Sequence, residues 1–195
     1  MRTLLLSVGA VVLMGLLSVG CSHSAYVNPD EPDALGGTGI DSQDVRTVAQ
    51  EMARDIIGTP AIADAATKPI IALLPVKNES AARVDTDLFT LQLRNLLIKN
   101  AGSKVTFVAR DRMPAIHMER DAKREGEVSS SGEKQVSGAD YFLTGTILGL
   151  HKSAAGQRSD YIYYSFELID AESSNVVWAN DYDTKKVGER GPLYR

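Results

Sequence analysis

The chain holds one cysteine, Cys21, among 195 residues, so no disulfide can close within it. It has three histidines, His23, His117 and His151, and no two stand at metal-ligand spacing. No G-x-S-x-G elbow, H-E-x-x-H pair or phosphate loop occurs. The run Gly36-Gly37-Thr38-Gly39 is rich in glycine, but no Gly-Lys-Ser/Thr follows, so it reads as linker. Basic charge is not in excess: 21 Lys and Arg against 25 Asp and Glu leave a net charge of -4. A nucleic-acid binder needs a basic surface, so that class is excluded. A catalytic constellation normally shows at least one positioned base. His117 is alone among charges and reads as solvated, and Asp170 and Glu172 flank a turn and read as turn-formers. An enzyme is therefore not expected, nor a metal site.

Long hydrophobic runs are also scarce, and the exception is at the start. Arg2 precedes the continuous apolar stretch Leu4–Val19, which has the length and flanks of a secretory signal. Leu16-Leu17-Ser18-Val19-Gly20-Cys21 looks like a bacterial lipobox, although Ser18 stands where an aliphatic residue is usual. The expectation is cleavage after residue 20, leaving a lipidated Cys21 as the new N-terminus. Each buried acyl methylene contributes about 0.8 kcal/mol, so two or three chains hold firmly. No cofactor is expected apart from that covalent lipid. Residues 21–41 read as a flexible tether: two prolines, three acids before Asp41, and no apolar periodicity. Fully extended, about 20 residues span roughly 65–70 Å.

Beyond the tether the pattern changes. Val45, Val48, Ala49, Met52, Ala53, Ile56 and Ile57 form one stripe at helical spacing, with Asp41 or Ser42 as cap and Gly58-Thr59-Pro60 as stop. Pro69–Val76 is a short apolar strand, Lys77–Val84 a loop, and Asp85–Asn100 a second helix. Leu88, Phe89, Leu91, Leu93, Leu96 and Leu97 give that helix a broad apolar face. Lys104–Ala109 is a further strand, and Asp111–Glu127 starts like a helix, with Asp111 as cap and Pro114 in the first turn.

Gly138–Asp183 carries three runs rich in β-branched and aromatic residues. Ile162, Tyr164, Phe166 and Leu168 fall on one face of a strand, and Tyr163, Ser165 and Glu167 on the other. A polar spacer, Lys152–Ser159, and a turn, Asp170–Asn175, predict an antiparallel meander. Thr184–Arg195 reads as a polar tail. The fold class is α+β: a mainly antiparallel sheet of four to five strands with helices packed on it. Residues 42–187 are the domain and 188–195 its tail. Trp178 is expected to pack against a helix. Tyr161 and Tyr163 lie on the face opposite Phe166; core or sheet-edge packing is the first reading for them, and if no helix covers that face they favour protein contact.

GADYFLTGTI, YIYYSFELIDAESSNVVWAND and the upstream IIALLPVKNES…DTDLFTLQLRNLL…VTFVAR together resemble the LpoB family. These are outer-membrane lipoproteins that activate bifunctional penicillin-binding proteins, within the broader CsgG-like group. The resemblance covers about Lys68 to Val187 plus the leader. It implies a lipid anchor in the outer membrane and a periplasmic penicillin-binding protein as partner. The partner-contact candidates it suggests are Asn78, Glu79, Ser80 and Arg83 in the first loop, with Tyr161 and Tyr163 on the sheet. The tether here is shorter than the long proline-rich one of the family's best-known form, so either the partner extends outward or the function differs. The competing expectation is self-association, as a subunit of an envelope ring or secretion assembly of CsgG-like type. No pair of additional alternating segments is present that would build a membrane barrel.

Overall fold

The computed structural model describes residues 24–33, 36–101, 103–129, 132 and 135–189. The signal segment, Cys21, His23 and the last six residues, Tyr194 among them, lie outside the described residues.

Helix α1, Ser42–Gly58, forms where the apolar stripe predicts. Asp41 caps it: its carboxylate accepts the Asp44 N–H while the Asp44 carboxylate accepts the Asp41 N–H, both at 3.0 Å. This is a capping box with aspartate at both positions, and it satisfies two of the N–H groups that a helix start leaves unpaired. A four-residue helix, α2 (Pro60–Ala63), follows at once. Then come β1 (Ile70–Leu73), the two-residue β2 (Lys77–Asn78), α3 (Thr86–Ala101) and β3 (Thr106–Val108). A 3-10 turn at Arg110–Arg112 leads into α4 (Met113–Glu125). The chain closes with three 14-residue strands, β4 (Tyr141–Ala154), β5 (Gln157–Asp170) and β6 (Val176–Glu189).

The sheet runs β3-β1-β4-β5-β6, with β2 also on β4. The meander β4-β5-β6 is antiparallel, as expected. The β1–β3, β1–β4 and β2–β4 pairings are parallel, so the sheet is mixed and has six strands rather than four or five. Parallel neighbours need a long crossover, and α3 and α4 supply it. The strands of the meander are longer than expected. The spacer Lys152–Ser159 is mostly ladder, closed by a two-residue turn at Ala155-Gly156 with positive φ at both (50° and 77°). The last strand runs to Glu189, past the start of the expected tail. Lys77 and Asn78 pair with Thr146 and Ile147, so the first loop begins as strand.

One layer of helix covers one face. Val45, Val48, Ala49, Met52, Ala53 and Ile56 of α1 and Phe89, Leu93, Leu97 and Ala101 of α3 are buried there. They meet Ile71, Leu143, Ile147, Ile162, Tyr164, Phe166 and Leu168 from the sheet. Phe89 stacks on Tyr164 and Phe166, with centroids 6.0 and 5.7 Å away. Each such side chain contributes about 1.5–3 kcal/mol through burial. The broad face expected of α3 is narrower: Leu88 and Leu91 are exposed, because the residues with sheet beneath them follow an i, i+4 row through Phe89. Asp111 does not cap α4. That cap is Arg112, and Asp111 instead forms ion pairs with Arg94 and Arg112. Trp178 packs where expected, its indole N–H donating to Asp55 of α1 at 2.7 Å.

Candidate functional site

The second face of the meander is uncovered. Along β5 the even-numbered residues from Asp160 to Leu168 are buried, while Ser159, Tyr161, Tyr163, Ser165 and Glu167 are half-exposed. Tyr161 stands opposite Leu150 on β4 and Lys185 on β6, and Tyr163 stands opposite Leu148 and Asp183. Leu148 and Leu150 are exposed at 41% and 67%. Four large side chains from adjacent strands thus make one apolar and aromatic patch in the open. Asp181 and Asp183 rim it. Asp183 lies diagonal to Tyr161 on the ladder, and Asp181 to Tyr163. The Asp183 carboxylate holds the Tyr161 hydroxyl above the usual phenol range; desolvation and the Asp181 charge do the same for Tyr163. Both stay protonated donors at neutral pH. The patch offers flat apolar area, hydroxyls and two carboxylates, with no nucleophile or paired base. Such a surface is suited to holding a protein partner.

The first-loop candidates divide. Asn78 shapes the loop: its amide donates to the Ala82 carbonyl at 2.9 Å, and its oxygen accepts from the Ser80 N–H and hydroxyl at 3.0 and 2.7 Å. Ser80 packs its Cβ against the space that a side chain at Gly149 would need. Asn78 and Ser80 are therefore occupied in folding the loop onto β4. Glu79 and Arg83 are exposed and project from the loop they brace. Asn78 and Tyr161 meet the same strand, β4, but Asn78 pairs at Ile147, on the buried phase, and Tyr161 is on the open one.

A polar cluster at the far end of the sheet was not foreseen. Asp160 is 2% exposed on the helix-side face. It accepts from the Thr38 hydroxyl at 2.5 Å, from Arg158 Nε at 2.7 Å, and from His151 Nδ1 at 2.8 Å. Burial pushes its carboxyl up, but these three hydrogen bonds outweigh that and hold it below the usual range. Beside it, Lys186 donates to Asp41 and Asp44 at 2.8 and 2.6 Å and to the Gly39 carbonyl at 3.1 Å. The end of the expected tether, from Thr38 onward, is therefore clasped to β5 and β6. The readable signal was the phase: Asp160 continues the buried series of Ile162 and Tyr164, and a carboxylate there needs partners. His117 is exposed, in keeping with a solvated side chain. Asp170 accepts from the Glu172 and Ser173 N–H groups and shapes its turn. Among the described residues no group of His, Cys, Asp or Glu could hold a metal ion.

A family model described as the peptidoglycan-synthase activator LpoB matches residues 44–184. The chain belongs to the LpoB family. The match starts at α1, well before the upstream limit of the motifs that suggested it. Among solved structures, the LpoB C-terminal domain from Salmonella enterica aligns at 13% identity and a TM-score of 0.47, covering 73% of this chain and 99% of that one. The domain from Escherichia coli aligns at 16% identity and 0.45, with the same coverage. Lipoprotein GNA1162 from Neisseria meningitidis aligns at 12% identity and 0.36, covering 64% of this chain and 89% of that one. No curated protein matches the chain in sequence. Within the LpoB match lie all but the first two residues of α1, the covered core, and Leu148, Leu150, Tyr161, Tyr163, Asp181 and Asp183 of the open face. The clasped residue Thr38 lies outside it. Among the described residues no helix is long and apolar enough to cross a membrane.

Proposed function

We propose that this LpoB-family chain is a lipid-anchored activator of a bifunctional penicillin-binding protein, working from the outer membrane into the periplasm. The observation that carries the reading is the helix-free sheet face, with Leu148 and Leu150 exposed and Tyr161 and Tyr163 half-exposed beside two carboxylates. Aromatic residues with polar tips are enriched at protein interfaces because one end is apolar and the other wet. A rigid antiparallel ladder presents them without an ordering cost on binding. Activation follows if the synthase's active conformation fits this face better than its resting one. Equal affinity for both would shift nothing, however tight the binding.

Anchoring is assigned to Cys21, with the signal segment removed. The clasp at Thr38 limits the tether to residues 21–37 at most, about 55 Å at full extension. A partner rooted in the inner membrane must therefore reach outward to meet the domain. Glu79 and Arg83 are the loop residues placed to touch the partner; Asn78 and Ser80 act by holding that loop. The test uses the chain without its leader and with Cys21→Ser. It should retain a penicillin-binding protein from detergent-solubilised envelopes and raise its glycan-polymerising rate. Tyr161→Ala with Tyr163→Ala should abolish both effects. Retention of no synthase by the parent chain, or full stimulation by the double variant, would refute the reading.

A further inference from the structure

The 14-residue strand β6 ends the sheet on one side, with no described strand beyond it. The hydrogen-bond phase fixes which of its backbone groups are spent. Leu74 and Glu79 donate to the Leu143 and Ile147 carbonyls, so the odd-numbered residues of β4 turn their backbone groups toward β1 and β2. The even-numbered ones then face β5, and through the pairs Thr144–Glu167 and Thr146–Ser165 the odd-numbered residues of β5 face back. The even-numbered residues of β5 are left for β6, where they meet Trp178, Asn180, Tyr182 and Thr184. Ala179, Asp181, Asp183, Lys185 and Val187 therefore turn both N–H and C=O outward. In keeping with this, the Asp181 N–H takes the neighbouring Asn180 side chain as acceptor, at 2.8 Å. Among the described residues no other backbone segment bonds to this row. The five side chains are exposed, on the same open face as Tyr161 and Tyr163. An unpaired row of this length is a template for a further strand.

Helix α1 decides against a second copy of this chain as that strand. It runs along β6 and is tied to it at both ends: Lys186 holds Asp41 and Asp44, and Trp178 holds Asp55. Two copies joined edge to edge would set their β6 strands about 4.8 Å apart. Their α1 helices, each over its own strand, need about 8–10 Å between axes. The strand that fits carries no helix above it, as an extended segment of another protein does.

Charge along the row specifies the chemistry of that segment. From Ala179 to Val187 the outward row reads apolar, acidic, acidic, basic, apolar. Side chains directly opposite on paired strands interact, unlike charges favourably and like charges unfavourably. The antiparallel complement therefore carries, at alternate positions, an apolar residue, an acid, two bases and an apolar residue. A slip of two residues either way sets an acid on Asp183 or a base on Lys185, so the charges also fix the register. We propose that the free edge of β6 takes up an extended segment of a partner protein as a further strand, antiparallel to β6. Two alternate basic side chains of the segment lie on Asp181 and Asp183, and an acidic one lies on Lys185. The added strand widens the open face beside Tyr161 and Tyr163 without covering it. The proposal rests on β6 alone and goes beyond the activator reading, because it holds whichever protein supplies the segment.

The probe is a capped, fluorescein-labelled peptide, Val-Thr-Glu-Thr-Lys-Thr-Lys-Thr-Val, added to the leaderless chain with Cys21→Ser. Its anisotropy should rise to saturation, and a peptide with Glu and Lys exchanged should bind at least tenfold more weakly. Amide exchange followed by NMR should slow at Asp183, Lys185 and Val187. It should stay unchanged at Tyr182 and Thr184, whose N–H groups already bond to β5. The triple variant Asp181→Lys, Asp183→Lys, Lys185→Glu should prefer the exchanged peptide, and a melting curve like the parent's shows that it is folded. No binding of the first peptide, equal binding of the two by the parent chain, or protection that falls outside the alternating row would each overturn the proposal. So would a folded triple variant that keeps the parent's preference.

Discussion

Among the described glycines Gly145 has the least room for a side chain, and Gly145→Ala tests the account of how the sheet is packed. In the ladder it stands opposite Phe166. A Cβ built there would lie 2.5 and 2.6 Å from two carbons of the Phe166 ring, a separation real methyl groups do not adopt. The ring has nowhere to go: Phe166 is fully buried and Phe89 stacks on it 5.7 Å away. Overpacking of this kind costs about 1–3 kcal/mol. Against it, replacing glycine within a strand recovers about 0.5–1 kcal/mol of backbone entropy. The balance is a loss of about 1–2 kcal/mol. For a domain of this size that is a fall in Tm of about 2–8 °C. Urea unfolding followed by Trp178 fluorescence measures it directly. Phe166→Leu in the same chain should recover part of the loss, so the two substitutions should be non-additive by at least about 0.5 kcal/mol. A neutral or stabilising Gly145→Ala, or strict additivity with Phe166→Leu, would refute the packing argument.

Asp160→Asn should cost about 2–3 kcal/mol at neutral pH, because charge-assisted bonds to Thr38, His151 and Arg158 are lost together. The Asp160 carboxyl is held below its unfolded value of 3.8. Its contribution is therefore present above that pH and lost as pH falls through the lower folded value, so the gap between parent and variant in acid melts should close below about pH 4. Lys186→Met should speed amide exchange in the first turn of α1, where Asp41 and Asp44 lose their cation. The Lys186 ammonium is held above its usual 10.5 by those carboxylates despite burial, so its contribution should persist until pH rises past that value. Asn78→Ala should lower stability by about 1 kcal/mol and loosen the loop bearing Glu79 and Arg83, read as faster amide exchange at Ser80 and Ala82.

Periodicity made much of this fold readable. The alternation through Ile162, Tyr164, Phe166 and Leu168 identifies the covered face, and with it the uncovered one that carries Tyr161 and Tyr163. The stripe of α1 is equally plain, since every member has sheet or helix beneath it. Other features have no local signature. The parallel pairing of β1 depends on which neighbours a four-residue apolar strand finds, and its own residues do not encode that. On α3 two apolar rows lie side by side, and nothing in the helix says that Phe89 and Leu93 turn inward while Leu88 and Leu91 turn out. Thr38 sits in a glycine-rich run that reads as linker; its role comes from Asp160, 122 residues away. Asn78 looked available for a partner because its bonds to Ser80 and Ala82 exist only once the loop has closed.

Once the surface contacts of Asp30 and Pro29 with α1 give way, a pull arriving at Gly37 would act on the strands as well as on the start of α1. Thr38 is tied to β5 through Asp160, and Gly39 and Asp41 to β6 through Lys186. Those two strands are laced together from Gln157–Glu189 to Ile169–Val176. A tug from a moving envelope would therefore be spread over that ladder as well as the first helix, and the tyrosine face would stay flat under load.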